Sequence, residues 1–545
     1  MKSVMTHAFS QAPTADIPRS SFNRSHGLKT TFDAGKLIPV FVDEALPGDT
    51  LTLNPTLFAR INTPLYPLMD NLFLDVHFFA VPVRQIWDNF RKFCGEQTDP
   101  SDSTDYTFPT MNAPAATGYA NTSLFDYLGL PTKVPDYEHN TLALRAYNHI
   151  YNEWYRDQNL IDSLTVPTGD SGDTASYYTI RNRGKRHDYF TSCLPWLQKG
   201  DAVAMPLGTS APITGIAGDN STTGLGGPAT VKETGGGTPS YAKYRNTAAY
   251  GNIFMETDTN GVPQIYADLS SATASTVNEL RQAFQIQKLL ERDARSGTRY
   301  SEIVKSHFGV NFLDVTYRPE FLGGTSSPVN FESTPTTADT GARNVGDLAA
   351  AGTITCQGGG FTKSFTEHSI VMGIASVRAD LTYQQGLPRM YSRSTRYDMF
   401  WPALAHIGEQ AVLNKEIYTQ GTAADDDVFG YQERWAEYRY KPSMITGKMR
   451  SNDATPLDAW HLSQEFGSLP SLNQTFIEET PPMDRVVAVT TEPDFHMDCY
   501  FNYQCARPMP LFSVPGLIDH FLGDRHVGSN SRISIRKRRF RRFQC

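Results

Sequence analysis

Leu72-Phe73-Leu74-Asp75-Val76-His77-Phe78-Phe79-Ala80 is the stretch on which the fold of this 545-residue chain turns. Leu72, Leu74, Val76, Phe78 and Ala80 share one side of an extended backbone, with Asp75 and His77 opposite, a period of two that belongs to a β-strand. The same period runs N-terminally. Leu51, Leu53, Leu57, Ala59 and Ile61 mark one face of a second strand, and Ile38, Val40 and Val42 mark a third, with Pro47-Gly48-Asp49 as the turn between them. Three strands within about 45 residues leave no room for the crossovers of a dozen or more residues that parallel α/β units need, so the pattern predicts a sandwich or barrel.

Strand-like runs resume at Ser369–Tyr383, Tyr431–Tyr440, Val486–Thr490 and Phe495–Cys505. In the last run Phe495, Met497, Cys499, Phe501, Tyr503 and Cys505 face one way, which places Cys499 and Cys505 in a core as small hydrophobes. The other cysteines are Cys94, Cys193, Cys356 and Cys545, with no C-x-x-C pair, so neither a disulfide framework nor a zinc knuckle is expected. Helical spacing predicts a short helix over Arg84–Phe93 and a stronger one over about 139–157. A third begins at Thr276, which has Glu279 three residues on as a capping box, and ends near Ser296-Gly297. Residues 163–274 hold 15 of the 41 glycines amid Ser and Thr and read as a large looped insertion, with 323–360 a second loop region. The sum is a mainly β fold, an eight-stranded antiparallel jelly roll with long loop insertions and a few helices. Its parts are an N-terminal arm (1–35), a first half of the jelly roll with helices (36–162), the insertion (163–274), a second half containing the 323–360 loop (275–530), and a basic tail (531–545).

The composition, 39% hydrophobic and 19% charged, is that of a globular protein. No stretch approaches the roughly 20 apolar residues that span a bilayer, and Met1–His7 lack the apolar region of a secretory signal, so a soluble protein made in a cytoplasm is expected. The net charge of −8 conceals an asymmetry: residues 531–545 carry seven bases and no acid, leaving 42 bases against 57 acids elsewhere. Arg532, Arg536, Lys537, Arg538, Arg539, Arg541 and Arg542 offer guanidinium and ammonium groups to phosphates, while Phe540 and Phe543 offer faces on which unpaired bases can stack. These nine residues are the expected single-stranded DNA contacts.

No catalytic signature stands out. Gly447-Lys448 is followed by Met449, so no phosphate-binding loop forms there, and neither H-E-x-x-H nor G-x-S-x-G occurs. Asp425-Asp426-Asp427 lacks the alternating spacing of a calcium loop and reads as solvated turn residues. Arg181, Arg183, Lys185, Arg186 and His187-Asp188 read either as a patch contacting a polyanion or sugar or, more plainly, as a solvated loop face. No catalytic residue, metal site or cofactor is expected. A β-rich carbohydrate-binding or hydrolytic protein with a basic tail is the alternative, and a DNA-processing factor would need acid clusters of which only Asp425–Asp427 qualifies.

Longer stretches carry a resemblance. Glu291-Arg292-Asp293-Ala294-Arg295-Ser296-Gly297-Thr298-Arg299-Tyr300, His307-Phe308-Gly309-Val310 and Arg318-Pro319-Glu320-Phe321-Leu322-Gly323-Gly324 resemble the major capsid proteins of the gokushovirus branch of the Microviridae. So do Ala506-Arg507-Pro508-Met509-Pro510-Leu511 with Pro515-Gly516-Leu517, and the block from Ser21-Phe22 through Leu46-Pro47-Gly48-Asp49 to Phe78–Arg84. The resemblance implies a jelly roll assembled as a T=1 icosahedral shell around a circular single-stranded DNA phage genome. It also implies a long insertion gathered at the threefold axes as a protrusion facing the bacterial host, a place that residues 163–274 fit by size and composition. The partners expected are further copies of the chain, the DNA genome, a host surface receptor and a small basic internal DNA-packaging protein. The virion, assembled in the bacterial host cytoplasm, is the expected location.

Overall fold

The computed structural model describes residues 18–203, 277–311, 316–337 and 344–512, with short strands at 13–15, 213–214, 216–218, 253–255, 266–267 and 520–522. Two antiparallel sheets carry the fold. In chain order their strands are β1 (Ser20–Asn23), β2 (His26–Phe32), β3 (Ile38–Ala45), β4 (Thr50–Ile61) and β5 (Leu72–Pro82), then β6 (Glu320–Pro328), β7 (Asn330–Pro335), β8 (Leu348–Gln357), β9 (Phe361–Ser364) and β10 (Ser369–Ala379). A hairpin of β11 (Glu409–Leu413) and β12 (Val428–Glu433) stands apart, and β13 (Phe495–Arg507) returns to the larger sheet. One sheet has the order β6-β5-β10-β3; the other runs β7-β8-β4-β13-β1, with β9 also on β4 and β2 also on β13. The chain is mainly β, as the alternation predicted, and this order is compatible with a jelly roll whose larger sheet is extended by the N-terminal strands and β13.

The alternation has a direct physical meaning in β4 and β13. Leu51, Leu53, Leu57 and Ala59 are fully buried, as are Phe495, Cys499, Phe501 and Cys505, and all face the β3, β5 and β10 residues of the other sheet in one core. Each such Leu or Phe contributes about 1.5–3 kcal/mol on burial. Strand β10 does not alternate, because its sheet is covered on both sides. Ile370, Met372 and Ile374 pack instead against Trp87, Leu144 and Tyr147, the last two from helix α1 (Leu142–Ile150). Gly373 is required where β10 crosses Phe78 and Phe41: a Cβ there would lie 2.7 Å from the Phe78 ring.

Several expectations are corrected. The 323–360 region, read as a loop, forms most of β6, β7 and β8. The 1–35 arm supplies β1 and β2, both paired to β13. Within the 163–274 insertion, residues 163–203 belong to the packed body: Tyr189, Phe190 and Cys193 form a third core with Tyr383, Val412 and Phe429. The rest of the insertion lies outside the described residues apart from two short antiparallel pairs, Ile213–Thr214 with Tyr266–Ala267 and Ile216–Gly218 with Ile253–Met255. Val486–Thr490 is not a strand, and only Val487 makes a bridge, to Pro64. The 431–440 run leaves its strand after Glu433, where Trp435 takes a left-handed backbone (φ 68°) and a helical turn follows. The 84–93 helix is two separate turns, Val83–Gln85 and Phe90–Phe93. Thr276 lies outside the described residues, and helix α2 spans Val277–Ser296, followed by α3 (Tyr300–Phe308).

The joint between β2 and β13 holds a buried carboxyl. Asp494 accepts the Ala34 N–H (2.9 Å), and burial, with Asp33 and Asp484 nearby, pushes its carboxyl up to about 6. A folded value above the ordinary one means that this group favours the fold at low pH and costs stability as pH rises through about 6. Asp494→Asn therefore raises the melting temperature at pH 7.5 by about 2 °C and leaves it unchanged at pH 4. Scanning calorimetry at the two pH values checks this; an equal shift at both contradicts it.

Candidate functional site

The expected DNA-contacting residues, Arg532, Arg536, Lys537, Arg538, Arg539, Phe540, Arg541, Arg542 and Phe543, lie outside the described residues. The acidic run is a turn device: Asp425 accepts the N–H groups of Gln420 (2.9 Å) and Gly421 (2.7 Å), and Asp426 pairs with Lys415 (2.6 Å). Among the described residues no three His, Cys, Asp or Glu side chains are grouped to hold a metal ion. The basic run 181–187 is not a solvated loop face. Arg183 is buried against Asp75 (2.6 Å), which also takes Arg378 (2.7 Å). Burial pushes the Asp75 carboxyl up, but Arg183, Ser326 and Arg378 outweigh it and hold it below the usual carboxylate range.

The surface feature that asks for a partner lies between β10 and β12. Arg389 opens a helical turn there (Arg389–Tyr391) and donates to Glu416 (2.9 Å) and to the Ala411 carbonyl (2.8 Å). Burial pushes the Glu416 carboxyl up despite Arg389, and the Tyr189 hydroxyl also donates to it (2.9 Å). Glu437 accepts from Gln410 (2.7 Å) and Arg393 (3.3 Å). Asp398 is capped by the N–H groups of Thr395 and Ser394, which hold it down at about 2. Trp435 is buried, donates its indole N–H to the Leu404 carbonyl (3.0 Å), and meets Phe400 edge-on at 5.8 Å.

This polar frame fixes a loop whose apolar side chains point outward. Tyr391 is 69% exposed and Tyr397 60%, and Met390, Met399, Phe400 and Trp401 are also exposed. Helices α2 and α3 leave Phe284, Leu289 and Phe308 uncovered as well. Single exposed apolar residues are ordinary, but aromatics and methionines gathered on one loop are the composition of an interface core. The arrangement can bury apolar area against another protein surface.

The comparisons give that surface its setting. The family described as "Capsid protein (F protein)" matches residues 10–517. This chain belongs to that capsid protein family. It is 49% identical to "Capsid protein VP1" of Bdellovibrio phage phiMH2K, over 94% of this chain and 98% of the relative. The capsid protein VP1 of Chlamydia phage 1 is 44% identical (95% and 98% covered), and that of Spiroplasma virus 4 is 35% identical (94% and 97%). The resemblance to gokushovirus major capsid proteins is borne out.

Sequence reasoning did not single out the exposed aromatic loop at 390–401. A signal was present: Tyr397, Met399, Phe400 and Trp401 gather around Asp398 with neither a period of two nor of 3.6, set between Pro388 and Pro402. Apolar residues that fit no buried face of their own chain are candidates for another chain's.

Proposed function

We propose that this major capsid protein closes as a T=1 icosahedral shell around a circular single-stranded DNA phage genome, held by its basic tail. The observation that carries the reading is the exposed aromatic surface at 390–401 on a chain of the capsid family. Closed symmetry repeats each subunit contact around the shell, so contacts of modest individual strength suffice to hold it. The seven bases of 531–545 supply the phosphate contacts and Phe540 and Phe543 the stacking faces. The part of 163–274 beyond the packed body is the protrusion that meets the host receptor, and a small basic DNA-packaging protein shares the interior. The virion is the chain's location, and the host cytoplasm the place of assembly.

Nuclease protection tests the proposal. Purified particles yield a circular single strand that resists added nuclease until the protein is denatured. A chain that stays a lone soluble molecule under every packaging condition, or particles whose DNA is digested at once, would refute it.

A further inference from the structure

Charge is spread unevenly over two parts of the body. Residues 94–140 hold seven acidic residues and one basic residue, Lys133. Pairing of Thr110–Asn112 with Glu138–Asn140 ties this lobe together. Met111, Tyr119, Leu124 and Phe125 bury it on the core that holds Trp87 and Tyr147. Glu96 meets Arg91 (3.2 Å) and Asp102 meets Lys92 (3.5 Å). Asp99 and Asp105 are exposed and make no ion pair among the described residues. Phe108 and Val134 are exposed on the same lobe.

The opposite charge surrounds the aromatic loop. Residues 389–397 and 434–450 together hold eight basic residues and one acid, Glu437. Neighbouring carboxylates meet three of these cations: Arg389 pairs with Glu416, Arg393 with Glu437 and Arg439 with Glu433. Arg396, Arg434, Lys441, Lys448 and Arg450 make no ion pair among the described residues. Arg450 donates instead to the Gln384 carbonyl (2.9 Å) and Lys448 to the Thr455 hydroxyl (3.4 Å). Between the two segments lies a pocket of about 410 Å³, lined by Tyr383, Tyr391, Tyr440 and Met444, of which the last three are exposed. An apolar centre ringed by charge of one sign selects a partner surface of the other sign. The lobe at 94–140 has that sign and exposed apolar side chains of its own. Within one subunit the two do not meet. They are seated on different cores, and no hydrogen bond or ion pair among the described residues joins them.

We infer that the acidic lobe at 94–140 of one copy docks on the basic aromatic surface at 389–401 and 434–450 of a second copy. Such a contact is heterologous, so each copy offers one face to one neighbour and the other face to the next, and it closes into a ring when the rotation is that of a shell axis. The inference rests on the shell reading and adds to it the surface that meets the aromatic loop.

Charge reversal in the full chain tests it. Asp99→Lys with Asp105→Lys lowers particle yield about tenfold or more, because like charges then face each other across the contact. Arg396→Glu with Lys441→Glu, made separately, does the same. All four side chains are exposed, so the melting temperature of the subunit stays unchanged in each variant. Joining the four substitutions in one chain restores the yield, since every copy then presents both reversed faces. Normal yield from either pair alone, or no recovery when the four are joined, overturns the inference, while particles from the wild-type chain leave the shell reading intact. A wild-type chain that forms no particles overturns both. A reversed pair that forms particles in normal yield but no longer infects assigns its surface to another partner, and this too overturns the inference.

Discussion

Tyr391→Glu combined with Tyr397→Glu leaves the subunit folded and stops particle formation. Both rings are largely exposed, and neither contributes to the three buried clusters, so their removal takes nothing from the subunit's own core. The loop that carries them is held from below by Arg389 on Glu416, Arg393 on Glu437 and the Asp398 cap, none of which the substitutions touch. In an assembled shell the same positions would bury two carboxylates in an aromatic contact. A central aromatic is worth about 2 kcal/mol in an interface, roughly thirtyfold in affinity, and burying an unpaired charge costs more still. Repeated at every copy of the contact, that loss exceeds what a closed shell tolerates. Sedimentation and electron microscopy show single subunits with unchanged far-ultraviolet circular dichroism. Normal particle yield would remove this loop from the assembly surface.

Deleting residues 531–545 abolishes salt-sensitive binding to single-stranded DNA while the body keeps its melting temperature. With all seven bases engaged and about 0.7 counterions released per single-strand phosphate, log affinity falls with log salt at a slope of about −5. The shortened chain gives a slope near zero and particles that lack DNA. The body is acidic once the tail is removed, so it supplies no general attraction to replace the lost contacts. A salt titration with slopes equal in the intact and shortened proteins would place the DNA contacts elsewhere.

The two longest strands could be read directly, because β4 and β13 each turn one face to the sandwich core and the other outward. The 323–360 strands were hidden by their glycines, which were read as loop formers. Gly324 and Gly352 are instead points of close approach: a Cβ would come within 2.6 Å of the His77 ring at one and 2.4 Å of Ile61 at the other. Strands β1 and β2 looked like an arm because they are short and polar, adding to the larger sheet through backbone pairing with β13 more than through apolar side chains. The packed part of the insertion escaped notice because Tyr189, Phe190 and Cys193 sit among Gly, Ser and Arg with no period, and their partners lie about 190 to 290 residues further on. The basic run was misjudged for the same reason: Asp75 and Asp380, which pair with Arg183 and Arg186, are far away in sequence. The aromatic loop at 390–401 was the least legible, since its exposed rings follow neither a period of two nor one of 3.6.

A three-dimensional reconstruction of the purified particle decides the matter most directly. It is predicted to show identical subunits closed around a strand, with Tyr391, Tyr397 and Phe400 buried against neighbouring copies and strand density meeting the positively charged C-terminal ends. Particles in which those rings face open solvent, or a preparation with no closed shell at all, would contradict the account.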